Sequence, residues 1–139
     1  MLVLQVLDIA NTSLSQLPDL RLTELKEFNA SLNQLTFVAA DTLSNLSDVR
    51  VLDLSYNRLN SPPSNAWHTM LHLNILKLAG NPFTSVSNDS FMGLDRLEWL
   101  DIADINGTME VLLKYSNNSS KLILPSYVLF FSHYDTSEQ

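Results

Sequence analysis

The side chains with the greatest capacity for chemistry are few and widely spaced. His68 and His72 lie four residues apart, which would place both imidazoles on one side of a helix. A metal site would need a third ligand and a nearby acid, and none is evident, so a solvated pair is the expectation. Asp53, Lys77 and Asp101 recur at equal intervals of 24 residues. Two acids could in principle work as a glycosidase pair, but no cleft is implied. Calcium is disfavoured by the Lys77 cation between them. With 3 Gly and no Cys there is no nucleophile elbow, phosphate loop, thiol nucleophile or zinc knuckle. These residues point to a chain that is not an enzyme and holds neither cofactor nor metal.

The composition narrows the partners. The chain has 139 residues, with 15 acidic against 8 basic side chains and a net charge of −7. Nucleic acid and anionic membrane surfaces require clustered Lys and Arg, so both are disfavoured. The N-terminus lacks a basic region and its apolar run stops at Asp8, unlike a signal peptide. The longest later apolar run, Leu122 to Phe131, is broken by Pro125 and is far short of the ~20 residues a spanning helix needs. Membrane association is therefore expected only through regions outside this chain.

Leu and Asn are over-represented, at 27 and 13 residues. The excess comes from a repeat. The pattern LxxLxLxxNxL begins at Leu4, Leu25, Val49, Leu73 and Leu97, with a degenerate sixth copy near Ser119. The start-to-start steps are 21, 24, 24, 24 and 22 residues. A second half follows, with an aromatic or Leu at position nineteen (Leu43, Trp67, Phe91) and an apolar residue at position twenty-two (Leu46, Met70, Leu94).

Each unit predicts one turn of a solenoid in which the first half is a short strand and the second half returns over the top. Positions one, four, six, eleven, fourteen, nineteen and twenty-two point inward. The strands pair in parallel about 4.8 Å apart and line a concave face. At position nine Asn33, Asn57 and Asn81 turn inward, because an amide can satisfy the unpaired backbone groups of the tight turn. Thr12, Ile105 and Tyr127 take that position in repeats one, five and six, as expected of atypical terminal repeats. The expected organisation is a repeat segment over 1–131 and a polar tail over 132–139. With no polar shield at either end, the segment is expected to belong to a longer protein.

The unit with its aromatic at position nineteen resembles the "typical" class of leucine-rich repeats, over residues 2–107 and more weakly to 131. That class is found mostly in extracellular animal proteins. The stretch Leu52-Asp53-Leu54-Ser55-Tyr56-Asn57-Arg58-Leu59 with Leu78-Ala79-Gly80-Asn81-Pro82-Phe83 is most similar to insect chaoptin-like surface adhesion proteins, and more distantly to Toll-type receptor ectodomains. The resemblance implies an α/β leucine-rich-repeat solenoid with an irregular or short-helical convex side, and a non-catalytic role in binding protein partners, a second copy of the chain included. The Cys-rich flanks of extracellular members are missing. A Toll-type ligand-binding segment and an intracellular scaffold are the alternatives.

Glycosylation signals bear on the compartment. Seven Asn-x-Ser/Thr sequons occur, at Asn11, Asn29, Asn45, Asn88, Asn106, Asn117 and Asn118, where the Asn and Ser/Thr content alone would give about two. The excess favours an extracellular or cell-surface location. Asn45 and Asn88 are expected on the convex side, whereas Asn29 falls at position five, on the concave face. A glycan there would leave repeats three to five as the free surface. On those repeats position three reads Val51, Ile75 and Trp99, an apolar stripe. Tyr56 flanks it, and Asp53, Lys77 and Asp101 run beside it as a polar row that would orient a partner.

Overall fold

The computed structural model describes residues 2–84, 86 and 90–102, and the backbone of a final strand at 129–131. Each repeat contributes one three-residue strand: β1 Val6–Asp8, β2 Glu27–Asn29, β3 Val51–Asp53, β4 Ile75–Lys77, β5 Trp99–Asp101 and β6 Leu129–Phe131. They form one parallel sheet in chain order. The first five strands occupy positions three to five of their repeats, so period-two alternation turns position four inward. Phe28, Leu52, Leu76 and Leu100 there are buried.

The equal repeat length sets the register. Val51 stands opposite Ile75, and Ile75 opposite Trp99; Asp53 stands opposite Lys77, and Lys77 opposite Asp101. The ladder extends past the strands. The N–H groups of Leu54 and Leu78 donate to the carbonyls of Lys77 and Asp101 at 2.9 and 2.8 Å.

The last rung differs from the expected alignment. Leu129 pairs with Trp99, whereas a sixth repeat near Ser119 would put Lys121 there. Leu129-Phe130-Phe131 is a β-favouring apolar run, while the rival segment offers a cation at the corresponding position and Pro125 shortly after. The remainder of that sixth copy lies outside the described residues.

The core lies between the sheet and the return segments. Position one (Leu25, Val49, Leu73, Leu97) stacks turn upon turn, as does position six (Ala30, Leu54, Leu78, Ile102), and all are buried. The convex side carries a short helix, α1 (Ala40–Ser44), and a 3₁₀ helix over Ser64–Thr69. Leu43, Trp67 and Phe91, at position nineteen, pack beneath it. Trp67 also donates its indole N–H to the Ser90 carbonyl at 2.8 Å, tying one return segment to the next. Repeat one is less covered: Leu4, at an inward position, is 47% exposed, and Leu7, Ile9 and Leu17 are half-buried. Their inward faces meet a neighbouring turn on one side.

The turn after each strand has a constant geometry. Position eight is left-handed in four successive repeats, at Asn11 (φ 55), Leu32 (φ 57), Tyr56 (φ 53) and Gly80 (φ 68). This reversal lets the N–H of Leu32 donate to the Ser55 carbonyl at 3.0 Å, and that of Tyr56 to the Ala79 carbonyl at 2.7 Å. It also rotates position nine into the core. Among the described residues no helix is long and apolar enough to cross a membrane.

Candidate protein-binding face

Inside the turns the amide ladder is continuous. Asn57 Nδ2 donates to the carbonyls of Ala30, Leu54 and Ser55 at 3.0, 3.0 and 3.3 Å, and its Oδ1 accepts the Leu35 N–H at 3.1 Å. Asn81 repeats this one turn on, with the carbonyls of Leu54, Leu78 and Ala79 and the N–H of Leu59. Asn33 serves the carbonyls of Ile9, Ala30 and Ser31 and the N–H groups of Thr12 and Leu14. Each amide thus bonds two successive turns, its N–H donors spent on backbone carbonyls and its side chain buried away from any ligand.

On the concave surface, Val51, Ile75 and Trp99 form one row across three hydrogen-bonded strands. All three are half-buried. Asp53, Lys77 and Asp101 form the adjacent row and are also half-buried. Lys77 makes no ion pair with Asp53. Instead one Asp53 oxygen accepts the Ser55 N–H at 3.0 Å and also the Ser55 hydroxyl. The same Asx turn occurs at Asp8, which accepts from Ala10 at 2.9 Å, and at Asn29, which accepts from Ser31 at 3.0 Å. Position five therefore fixes the end of its own strand, and at Asp53 this holds the carboxylate in one orientation.

A shallow hollow of about 230 Å³ lies on the first rungs, lined by Val6, Asp8, Glu27, Asn29, Val51, Asp53 and Lys77 among others. Asn29 is half-buried within it on the second rung, so a glycan at Asn29 would cover the first two rungs and reach the near end of the row at Val51 and Asp53. Asn11 is exposed on the turn of repeat one, and Asn45 is half-buried at the C-cap of α1, on the convex side. Asn88, Asn106, Asn117 and Asn118 lie outside the described residues.

The two histidines do not converge. His68 is exposed on the 3₁₀ helix, while His72 Nδ1 lies 3.3 Å from Arg96 Nη1, one turn along. Among the described residues no group of three His, Cys, Asp or Glu side chains could hold a metal ion.

Two features escaped the sequence reading. One is a charged ladder on the edge where chains enter the sheet. Lys26 bonds Asp48 across one turn, and the ammonium holds the Asp48 carboxyl below the usual carboxylate range. The other is the left-handed position eight. Tyr56, which the repeat pattern had set beside the apolar stripe, lies on this turn with one side of its ring close against Gly80, where an added Cβ would meet ring carbons at 2.3 to 2.9 Å. The available signals were Gly80 and Asn11 at equivalent positions, the two residue types that tolerate this conformation.

Comparison with known proteins agrees with this architecture. The leucine-rich-repeat family model matches residues 23–83 and 50–106. Chaoptin of Drosophila melanogaster is 41% identical over 99 residues, covering 70% of this chain and 8% of that protein. Chaoptin of Tribolium castaneum is 38% identical over 104 residues, covering 74% and 13%. The chain thus spans only a small part of these relatives. Among solved structures, the TLR13–ssRNA13 complex superimposes with a TM-score of 0.56 at 37% identity, over 60% of this chain and 12% of that one. A 24-residue period, a one-strand-per-repeat parallel sheet and an inward Asn ladder converge with these matches: the chain belongs to the leucine-rich-repeat family.

Proposed function

We propose that this is a non-catalytic protein-binding segment of a cell-surface adhesion protein, and that it binds through the concave face of repeats three to five. The observation that carries the reading is the register-aligned row Val51–Ile75–Trp99, half-buried and seated on a parallel sheet. A fixed aromatic among aliphatics is the composition of a binding hot spot. The adjacent row alternates in sign, Asp53, Lys77, Asp101, which favours one docking register over its neighbours. Similarity to the chaoptins supports a partner outside the cell, as does the excess of sequons. The solved relative is bound to RNA, but the net charge of −7 and the single cation in the concave row favour protein over nucleic acid here.

The test uses the full-length protein displayed on cells that do not otherwise adhere. Native protein is expected to mediate adhesion, to like cells or to cells bearing a partner. Trp99→Ala is expected to weaken it by about 1–3 kcal/mol in binding free energy while surface expression is unchanged. Adhesion that survives Trp99→Ala together with Ile75→Ser would count against the concave face. Mass spectrometry showing Asn29 bare in the native glycoprotein would remove the reason to restrict binding to repeats three to five.

A further inference from the structure

The turns that leave the sheet hold two large side chains in a conformation that suits neither. Leu32 and Tyr56 have φ of 57° and 53°, where Cβ crowds the following carbonyl, and branched or bulky residues are rare there. The same position carries Gly80 and Asn11 in sister repeats, so the fold itself is served by residues that adopt it cheaply. Burial does not compensate: Leu32 is 54% exposed and Tyr56 48%. Backbone strain combined with exposed apolar surface marks residues kept for something other than stability.

Their surroundings are also distinctive. Across residues 30–37, 54–61 and 78–84, in a chain with 23 charged side chains, Arg58 is the only charged residue. It is exposed and forms no ion pair among the described residues. Tyr56 is braced against Gly80 and Leu32 is one turn away, its N–H bonded to Ser55. Apolar groups on the same turns as one guanidinium that forms no ion pair among the described residues make a surface with a definite complement.

We propose that this exit edge of the sheet, Leu32 and Tyr56 with Arg58, is a second protein-docking surface, distinct from the concave row, and that its partner presents an apolar strip carrying one carboxylate. The strip covers Leu32 and Tyr56, and the carboxylate pairs with Arg58, the only charged side chain across residues 30–37, 54–61 and 78–84.

The experiment titrates the full chain with two fluorescently labelled synthetic peptides, each alternating Leu and Ser, one with a central Glu and the other with Lys in its place. The Glu peptide is expected to bind at least about 10-fold more tightly than its Lys twin. Leu32→Asn and Tyr56→Asn are each expected to weaken it at least about 10-fold. Leu32→Asn should leave the melting temperature unchanged or raise it, and Arg58→Gln should erase the difference between the peptides. Trp99→Ala should leave peptide binding intact. Equal binding of the two peptides, or no binding of either, would overturn the proposal. So would a lowered melting temperature for Leu32→Asn. Loss of peptide binding in Trp99→Ala alone would place the peptide on the concave face, leaving that reading standing and this one refuted.

Discussion

The two edges of the sheet solve the same problem in opposite ways. Both must carry the chain between a strand and the return segment, and both leave backbone groups to satisfy. The entry edge is charged, with Glu24, Lys26, Asp48 and Arg50 on two successive turns and Arg96 and Glu98 two turns further on, and the Lys26–Asp48 pair joins the first two by side chains. The exit edge is almost uncharged and is joined from within, by Asn33, Asn57 and Asn81. The difference teaches where stability resides. Exposed ion pairs are screened and contribute little. Buried amides that complete the bonding of two turns are costly to remove. The exit edge can therefore tolerate strained, exposed Leu and Tyr on its outside because its inside is over-determined.

Perturbing the two edges should give effects that fall in a clear order. Asn57→Ala should be the most damaging, at about 2–3 kcal/mol, because it orphans the buried Leu35 N–H and takes one of two donors from the carbonyls of Ala30, Leu54 and Ser55. Chemical denaturation would measure it, and a cost below about 1 kcal/mol would mean that water replaces the amide. Gly80→Ala comes next, at about 1–2 kcal/mol, through the left-handed backbone and the clash with the Tyr56 ring. A cycle with Tyr56→Ala separates the two causes: the cost should fall in the double variant, and strict additivity would show that the ring is not in the way.

Leu32→Asn should have the reverse sign, stabilising by up to about 1 kcal/mol, since Asn suits the left-handed position. The smallest effect belongs to the entry edge. The Lys26 ammonium lowers the Asp48 pKa in the folded state. Its contribution is therefore present above the unfolded carboxylate pKa and is lost as pH falls through the lower, folded value. The melting temperatures of the native chain and Lys26→Met should accordingly differ slightly near neutral pH, with the gap starting to close only below the ordinary carboxylate pKa of about 3.9. A gap that persists in acid would assign Lys26 a packing role instead.

Much of the architecture was legible because the repeat length is constant. A 24-residue step with Leu at inward positions fixes strand placement, parallel pairing and the Val51–Ile75–Trp99 row in one stroke. Residues that depart from that period were not legible. The sixth strand begins at Leu129, beyond the reach of a constant step. The left-handed turn was hidden because Leu32 and Tyr56 are poor indicators of it, and only Gly80 and Asn11 hinted at it. Asp53 read as a free surface charge, although Asp-x-Ser is itself the signal of the Asx turn that fixes it. Leu4 followed the pattern yet is exposed, since burial in a solenoid depends on the adjacent turn as much as on the residue.

The proposed division of labour is that side chains on the concave surface recognise, while amides inside the turns hold the fold. Melting temperature and partner-dependent adhesion, measured side by side for Trp99→Ala and Asn57→Ala, test that division most directly. Trp99→Ala should lose adhesion and keep its melting temperature, and Asn57→Ala should lose melting temperature first. If Trp99→Ala melts early and its adhesion falls only in proportion to the folded fraction, Trp99 belongs to the core and the concave row is not a binding surface.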